Sequence, residues 1–455
     1  MAATWDTEME ELPLPRTKAH PVSGGAKTIE HFYAYLPTHQ YLCIATRELW
    51  PASSVDATVT MPPHTKGKPS AYLDQTRHVE QMTWAPSLPR IITDKVVSGG
   101  GWIDRLGYSC FNLYQPPELT HGEPDTAGPW LEHVHRVFTH DAQHLIRWLA
   151  HRVQRPGEKI NHALVLGGAQ GIGKDSIIEP VMHAVGPWNC HEVSPTQLMG
   201  RFNGFVKSVI LRVSEARDQR DGGGGKIDRY AVYEHCKTLL AAPPTVLRCD
   251  EKSIREYGVM NVCGVVFTTN HRDGLYLPPD DRRHFVAWSE LRQEDFPANY
   301  WVDLYYWYEH EGGYGHVAAY LASLDISGFD PKAPPPKTPA FYRMVDAGRA
   351  PEDAELADLV DVMSKDGKPP AAITIGDLLA VCVEESFRDW LKDRRNSRQI
   401  PHRMEAAGYV AVRNDADKHD GQWRVGGKRQ VIYARRELSL RDRHAAAEDR
   451  CRRDR

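Results

Sequence analysis

The stretch ALVLGGAQGIGKDS, residues 163–176, constrains this chain more than any other. An apolar run with the composition of a buried strand passes directly into Gly168-Ala169-Gln170-Gly171-Ile172-Gly173-Lys174, and a segment able to form a helix follows. This is the GxxxxGK spacing of a phosphate-binding loop, in the strand–loop–helix setting that such a loop needs. The glycines let backbone N–H groups turn inward and cradle phosphate oxygens. Lys174 supplies a point charge to the β- and γ-phosphates, and the helix from about Asp175 presents its positive end. Residues Gly168 to Ser176 are therefore the candidate ATP-binding set. A connecting turn rich in glycine would need neither the lysine nor the strand that feeds it.

Two further apolar runs, SVILRVSEA and VCGVVFTTN, follow. With HALVLGG they read as buried parallel strands separated by helices, hence an α/β fold. In P-loop ATPases the second of these strands ends in an Asp that holds the metal and a Glu that orients the attacking water. Here it ends in Ser214-Glu215, so Glu215 fits the water-orienting role and Ser214 stands where the Asp is expected. The residue after the lysine, usually a metal-ligating Ser or Thr, is Asp175, with Ser176 next. A carboxylate and a hydroxyl have thus exchanged places, and Asp175 and Ser214 are candidate Mg2+ neighbours. The rival reading shifts the loop by one residue and gives the metal to Ser176. The third strand ends in Thr268-Thr269-Asn270, whose amide can reach the γ-phosphate or the lytic water. Eleven residues on stands Asp281-Arg282-Arg283. Either arginine can serve a neighbouring subunit's nucleotide as a finger, or simply pair on the surface with Asp280 or Asp281. Lys174, Glu215, Asn270, Arg282 and Arg283 make up the catalytic candidates.

Taken in this order, the four elements resemble the superfamily 3 helicases, and within them the phage- and mobile-element-encoded primase-helicases whose loop reads QGIGKD. The resemblance covers roughly residues 155–295, a third of the chain. It implies a compact AAA+ ATPase domain that uses ATP and Mg2+. It further implies a homo-hexameric ring translocating on single-stranded DNA, at an origin or fork, during replication of a phage, prophage or plasmid-like element. The family also carries a pore-lining β-hairpin between the acidic motif and the sensor. The segment Lys237 to Arg255 occupies that interval, with apolar runs flanking Asp250-Glu251-Lys252, so Lys252 and Arg255 become candidate DNA contacts. No paired-carboxylate motif with a following His stands in the first 150 residues, so primer synthesis is expected from a separate primase or polymerase. The alternative is a nucleotide-binding origin-binding or scaffold protein without significant hydrolysis, given two irregular metal positions. A P-loop kinase or nucleotide switch fits Asn270 and the arginine pair less well.

At 455 residues the chain needs two or three domains. Residues 1–27 are polar and marked by Pro and Gly, and are expected to be disordered. A small mixed α/β domain is expected over 28–128, the ATPase domain with flanking helices over 129–325, a stiff Pro-rich linker over 326–352, a winged-helix-like DNA-binding domain over 353–440 and a charged tail over 441–455. In the C-terminal domain one helix is expected over IGDLLAVCVEESFRDWLKD and a second from Ser397 to Ala407, followed by strands YVAVRN and VIYARR. The whole chain has a net charge of −4, yet residues 388–436 hold 13 Lys or Arg against 6 Asp or Glu. That local excess is a plausible phosphate footprint, with Arg394, Arg395, Arg398 and Arg403 on or near a recognition helix and Lys428 and Arg429 on a wing.

The eight cysteines are scattered with no CxxC pair, which argues against a zinc ribbon or a disulfide framework and fits a reducing cytoplasm. The N-terminus lacks the apolar core of a signal peptide, and no apolar stretch approaches the ~20 residues of a membrane span. A cytoplasmic protein without membrane contact is expected. His140 and His144 stand at helical spacing, but no acidic partner follows at ligand spacing. Gly222–Gly225 reads as a loop, since no strand feeds it.

Overall fold

The computed structural model describes residues 27–120, 122–214, 229–348, 351–364, 368–393, 396–397, 399–417 and 420–453. The expectations for residues 1–26, Glu215, the Gly222–Gly225 loop, Arg394, Arg395 and Arg398 lie outside these. Two compact units are present. One runs through Pro116 and includes Pro243–Asn261; the other takes Pro117–Ala242 and everything from Val262 onward.

The second unit is built on five parallel strands: β1 (Ala163–Gly167), β2 (Cys190–Val193), β3 (Ile210–Val213), β4 (Gly264–Thr269) and β5 (His284–Trp288). Their order across the sheet is β2-β3-β4-β1-β5, and every neighbouring pair is parallel. Every residue of β1 and β4 is buried, as expected of a parallel sheet covered on both faces. Because all strands run the same way, their carboxyl ends share one edge. Helix Lys174–Val185 leaves that edge after β1 and the glycine-rich loop 168–173.

Around it pack helices Gly128–Phe138, Ala142–Gln154, Tyr300–His310 and Gly313–Ser323. The first two of these, which flank the sheet as expected, are divided at Thr139, whose φ of 27° no α-helix accommodates. Trp130 and Trp148 are fully buried; their indole N–H groups donate to Ile177 O (3.1 Å) and His162 O (3.2 Å). His144 is not arranged for a metal. It stacks on Phe285 and shares a hydrogen bond with His162 (3.0 Å), and burial pushes it down to about 4.

The Pro-rich segment is no free linker. Pro331 O accepts from Asn161 N at 2.8 Å, and Thr338 Oγ1 donates to Val286 O at 2.6 Å. Thr338 also caps helix Pro339–Ala347, whose Phe341 and Met344 are fully buried. A proline run makes no internal hydrogen bonds, so its carbonyls remain open to other chains, and the apolar residues after it need a core.

The C-terminal part has a three-stranded antiparallel sheet in the order Ala372–Thr374, Ile432–Arg435, Tyr409–Val412. Helices Pro351–Val362, Ile375–Val381, Glu385–Lys392 and Ile400–Ala406 cover it. The first expected helix is broken at Cys382–Glu384. Arg388 explains the break, since its guanidinium donates to Leu379 O (3.2 Å) and Cys382 O (2.7 Å) at the end of the first piece. The second expected helix is shorter than Ser397–Ala407. Between the last two strands a hairpin, Trp423–Val425 with Lys428–Gln430, turns at Gly426-Gly427, where both φ angles are positive. The expected tail is instead helix Leu440–Arg452, capped by Ser439 and held by Arg450 Nε donating to Asp377 Oδ2 at 2.8 Å.

Besides two two-stranded pairings, the first unit has two small sheets, and its first segment ends earlier than expected, at Pro116. Leu49–Pro51, Gln40–Cys43, Phe32–Tyr35 and His78–Val79 form one; Gln81–Thr83, Gly101–Asn112 and Ile91–Ser98 form the other. Phe32, Tyr41, Val55 and Leu73 centre its core. The hairpin expected within 237–255 is displaced: residues to Leu240 finish helix Arg229–Leu240, and the hairpin strands are Val246–Cys249 and Tyr257–Met260. It belongs to this unit, tied by Thr83 Oγ1 donating to Gly258 O at 2.8 Å.

Candidate functional site

The carboxyl edge of the parallel sheet opens into a cavity of about 490 Å3. Gln170 through Ser176, Ser214, Thr268, Thr269 and Asn270 line it, joined by Glu192, Arg212, Gln293, Trp301 and Tyr305. Segments far apart in sequence meet here because they lie at or just past the carboxyl ends of parallel strands, with Trp301 and Tyr305 added from helix Tyr300–His310.

The loop owes its path to glycine. Gly168, Gly171 and Gly173 have φ of 144°, 77° and 81°, a region that side chains disfavour. At Gly173 a Cβ would also lie 2.5 Å from the His133 ring and 2.6 Å from Trp301. His133 is fully buried and its Nε2 lies 3.0 Å from Gly173 O, while Nδ1 lies 2.9 Å from the Tyr300 hydroxyl. Burial pushes this histidine down to about 4, so it is neutral at pH 7. A carbonyl only accepts; Nε2 therefore carries the proton, and Nδ1 accepts from Tyr300. His133 braces the loop from behind. The sequence carried no signal for this beyond a histidine on an amphipathic helix.

Lys174 Nζ donates to Gly168 O (2.9 Å), Ala169 O (2.7 Å) and Asn270 Oδ1 (2.8 Å). All three acceptors are neutral, and the residue is only 8% exposed. Burial lowers its amine to about 8, with the Asp175 carboxylate partly opposing. Lys174 and the Asn270 amide, 96 residues apart, are in direct contact. Gly168 N donates to Thr269 O (3.3 Å), a second tie between the loop and β4.

Asp175 is 67% exposed, and its Oδ1 lies 3.2 Å from Arg212 Nη1. Ser176 is buried, and its hydroxyl hydrogen-bonds the Tyr305 hydroxyl at 3.0 Å. Ser214 lines the same cavity as Asp175. Asp175, Ser214, Ser176 and Glu192 offer only oxygen donors, the set that suits magnesium. Among the described residues no group of three or more His, Cys, Asp or Glu is arranged to hold a metal, so an ion here would share its ligands with a phosphate.

Arg282 and Arg283 do not line the cavity. They precede the amino end of β5, where Ala163 N donates to Arg283 O at 2.8 Å. The phosphate loop lies at the other edge of the sheet, a five-residue strand or ~17 Å away. Arg282 is exposed, and among the described residues neither arginine forms the alternative salt bridge with Asp280 or Asp281. Asp281 is buried, and its carboxylate accepts from Arg283 N (2.9 Å), His284 N (3.0 Å) and the Tyr233 hydroxyl (3.0 Å), with His284 Nδ1 at 3.0 Å. Burial opposes its charge, but His284 and these donors outweigh it and bring Asp281 to about 2.

The basic candidates divide. Lys252 and Arg255 are exposed in the tip between the hairpin strands. Lys428 is exposed on the C-terminal hairpin. Arg403 instead pairs with Asp353 at 2.9 Å and lies over Trp390, and Arg429 pairs with Asp417 at 2.6 Å and with Asp420. Their charges are answered within the protein. Arg424, also exposed on the hairpin, was not anticipated.

None of the eight cysteines is in a disulfide, and no helix among the described residues is long and apolar enough to cross a membrane. Residues 166–283 match a family described as "Family of unknown function (DUF5906)". No curated protein matches the sequence. Among solved structures, two of the apo C-terminal region of NrS-1 share the fold. One has a TM-score of 0.55 at 14% identity, the other 0.53 at 15%, and each alignment covers 89% of this chain and 96% of the other.

Proposed function

We propose that this chain is a P-loop ATPase of the AAA+ type that drives DNA unwinding in replication, with ATP and Mg2+ in the cavity at the carboxyl edge of the sheet. The observation that carries the reading is the meeting of Lys174 and Asn270 across the phosphate loop. A lysine held by neutral dipoles in a glycine cradle suits the anionic oxygens of a phosphate. Lys174 then binds the β- and γ-phosphates, and Asn270, released from it, positions the terminal phosphate or the water. Asp175 and Ser214 would hold magnesium, which supplies charge neutralisation to the phosphate oxygens when bound. The Ser176 hydroxyl is engaged by Tyr305, which favours Asp175 over the shifted register. Glu215, next to Ser214, is the proposed water-orienting base.

The distance of Arg282 and Arg283 from their own loop supports action on a neighbouring subunit, hence a ring, with a hexamer as the expected size. Lys252 and Arg255 are the proposed single-strand contacts. The strand and helix order of the C-terminal part supports a winged helix that meets duplex DNA through Lys428 and Arg424. A separate primase or polymerase would complete the replication assembly. Strand displacement on a forked duplex tests the reading: the wild type should separate strands only with Mg·ATP, and Lys174→Ala should not. Displacement by Lys174→Ala at the wild-type rate would end it.

A further inference from the structure

Arg212 belongs to none of the motifs above, yet its side chain lines the cavity. It lies in β3 two residues before Ser214, so the two share a face of the strand. Directly opposite in β2 is Glu192. Arg212 Nη2 donates to Glu192 Oε1 at 2.7 Å, and Nη1 lies 3.2 Å from Asp175 Oδ1. The guanidinium, only 18% exposed, thus stands between two carboxylates beside the phosphate loop. Its Nε is buried with no hydrogen-bond partner among the described residues.

A cation between two carboxylates at the mouth of a phosphate loop does the electrostatic work of a divalent ion. Asp175 cannot give its charge fully to a metal and to Arg212 at once. A guanidinium that loses a carboxylate needs another anion, and a phosphoryl group matches its planar fork. The unpartnered Nε leaves the present arrangement incompletely satisfied, which lowers the cost of leaving it.

We propose that Arg212 is a nucleotide-responsive residue of this cavity. In the empty site it clamps Asp175 and Glu192 in place of a divalent cation. When nucleotide and magnesium enter, it passes from Asp175 to the terminal phosphoryl group. The proposal rests on the nucleotide-site reading above and adds two properties to it. The free protein binds divalent metal poorly, and preference for a triphosphate over a diphosphate depends on Arg212.

The test is a Mn2+ titration of the full chain without nucleotide, followed by electron paramagnetic resonance. Arg212→Gln should bind Mn2+ at least about tenfold more tightly than wild type, a difference of about 1.4 kcal/mol. Adding Asp175→Asn should return it to the wild-type level. With saturating Mg2+, Arg212→Gln should bind a fluorescent ATP analogue about tenfold more weakly and the ADP analogue unchanged. Arg212→Lys, which keeps the charge, checks that the fold tolerates change here and should bind Mn2+ as poorly as wild type. Mn2+ binding no tighter in Arg212→Gln than in wild type overturns the clamp, and an unchanged ATP:ADP ratio overturns the transfer to phosphate. Full nucleotide binding by Lys174→Ala would instead remove the nucleotide site itself, whatever Arg212 does.

Discussion

Nucleotide binding should take up a proton at Lys174. In this structure the amine is buried against two carbonyls and an amide, and burial lowers it from 10.5 to about 8. That depression corresponds to about 3 kcal/mol held against the charged form. A triphosphate replaces neutral acceptors with anionic oxygens and should return the amine to its ordinary range. The free protein is the less protonated state between the two values, so binding draws in a proton across that window. Uptake should be about 0.1 proton at pH 7, about half at pH 8 and about 0.9 at pH 9. Affinity should be flat below about pH 7.5 and weaken about tenfold per unit above pH 8. Calorimetry of a non-hydrolysable ATP analogue in buffers of different ionisation enthalpy reads the proton count directly. In Lys174→Arg, whose charge is permanent, the slope above pH 8 should vanish even if affinity falls. An affinity independent of pH up to 9.5, with no buffer dependence, would refute the argument.

Gly173→Ala should reduce nucleotide affinity at least about tenfold, since φ there is 81° and the new Cβ would meet His133 and Trp301; binding of a fluorescent nucleotide checks it. Asp281→Asn should cost about 2 kcal/mol at pH 7 in urea unfolding monitored at the ATPase domain. Asp281 is depressed below its unfolded value, so this contribution is full above about pH 4 and lost as pH falls towards 2. Mixing an Arg282/Arg283 double alanine variant with Lys174→Ala should restore part of the turnover that each lacks; a mixture no better than its parts excludes action between subunits. Lys428→Ala should reduce the salt slope of duplex binding by about 1, whereas Arg403→Ala, losing Asp353, should lower the melting temperature and leave the slope unchanged.

The parallel sheet was legible because a two-sided-buried strand must be apolar throughout, as HALVLGG and VCGVVFTTN are. The loop was legible because only glycine takes its positive φ angles. What stayed hidden is what depends on folding back. Nothing in DPKAPPPKTP announces that Thr338 would dock on Val286, or that helix Pro339–Ala347 would bury Phe341. Counting charge from Arg388 to Arg436 could not tell Lys428, exposed, from Arg403, paired with an aspartate some 50 residues earlier. His133 and Arg212 reach the cavity from elements with no motif, through a buried ring in one case and strand register in the other. The resemblance implied a hairpin around Asp250, but its strands begin only after Leu240, where the helical residues end.

The central claim is a DNA-coupled ATPase, and the rate of Mg·ATP hydrolysis with and without single-stranded DNA, on protein of measured oligomeric mass, tests it most directly. The account predicts slow turnover alone, faster turnover with DNA, a ring-sized assembly, and neither basal nor stimulated activity in Lys174→Ala. Nucleotide binding with no turnover in either condition would contradict it and favour a nucleotide-binding scaffold. Turnover indifferent to DNA from a monomer would contradict it as well.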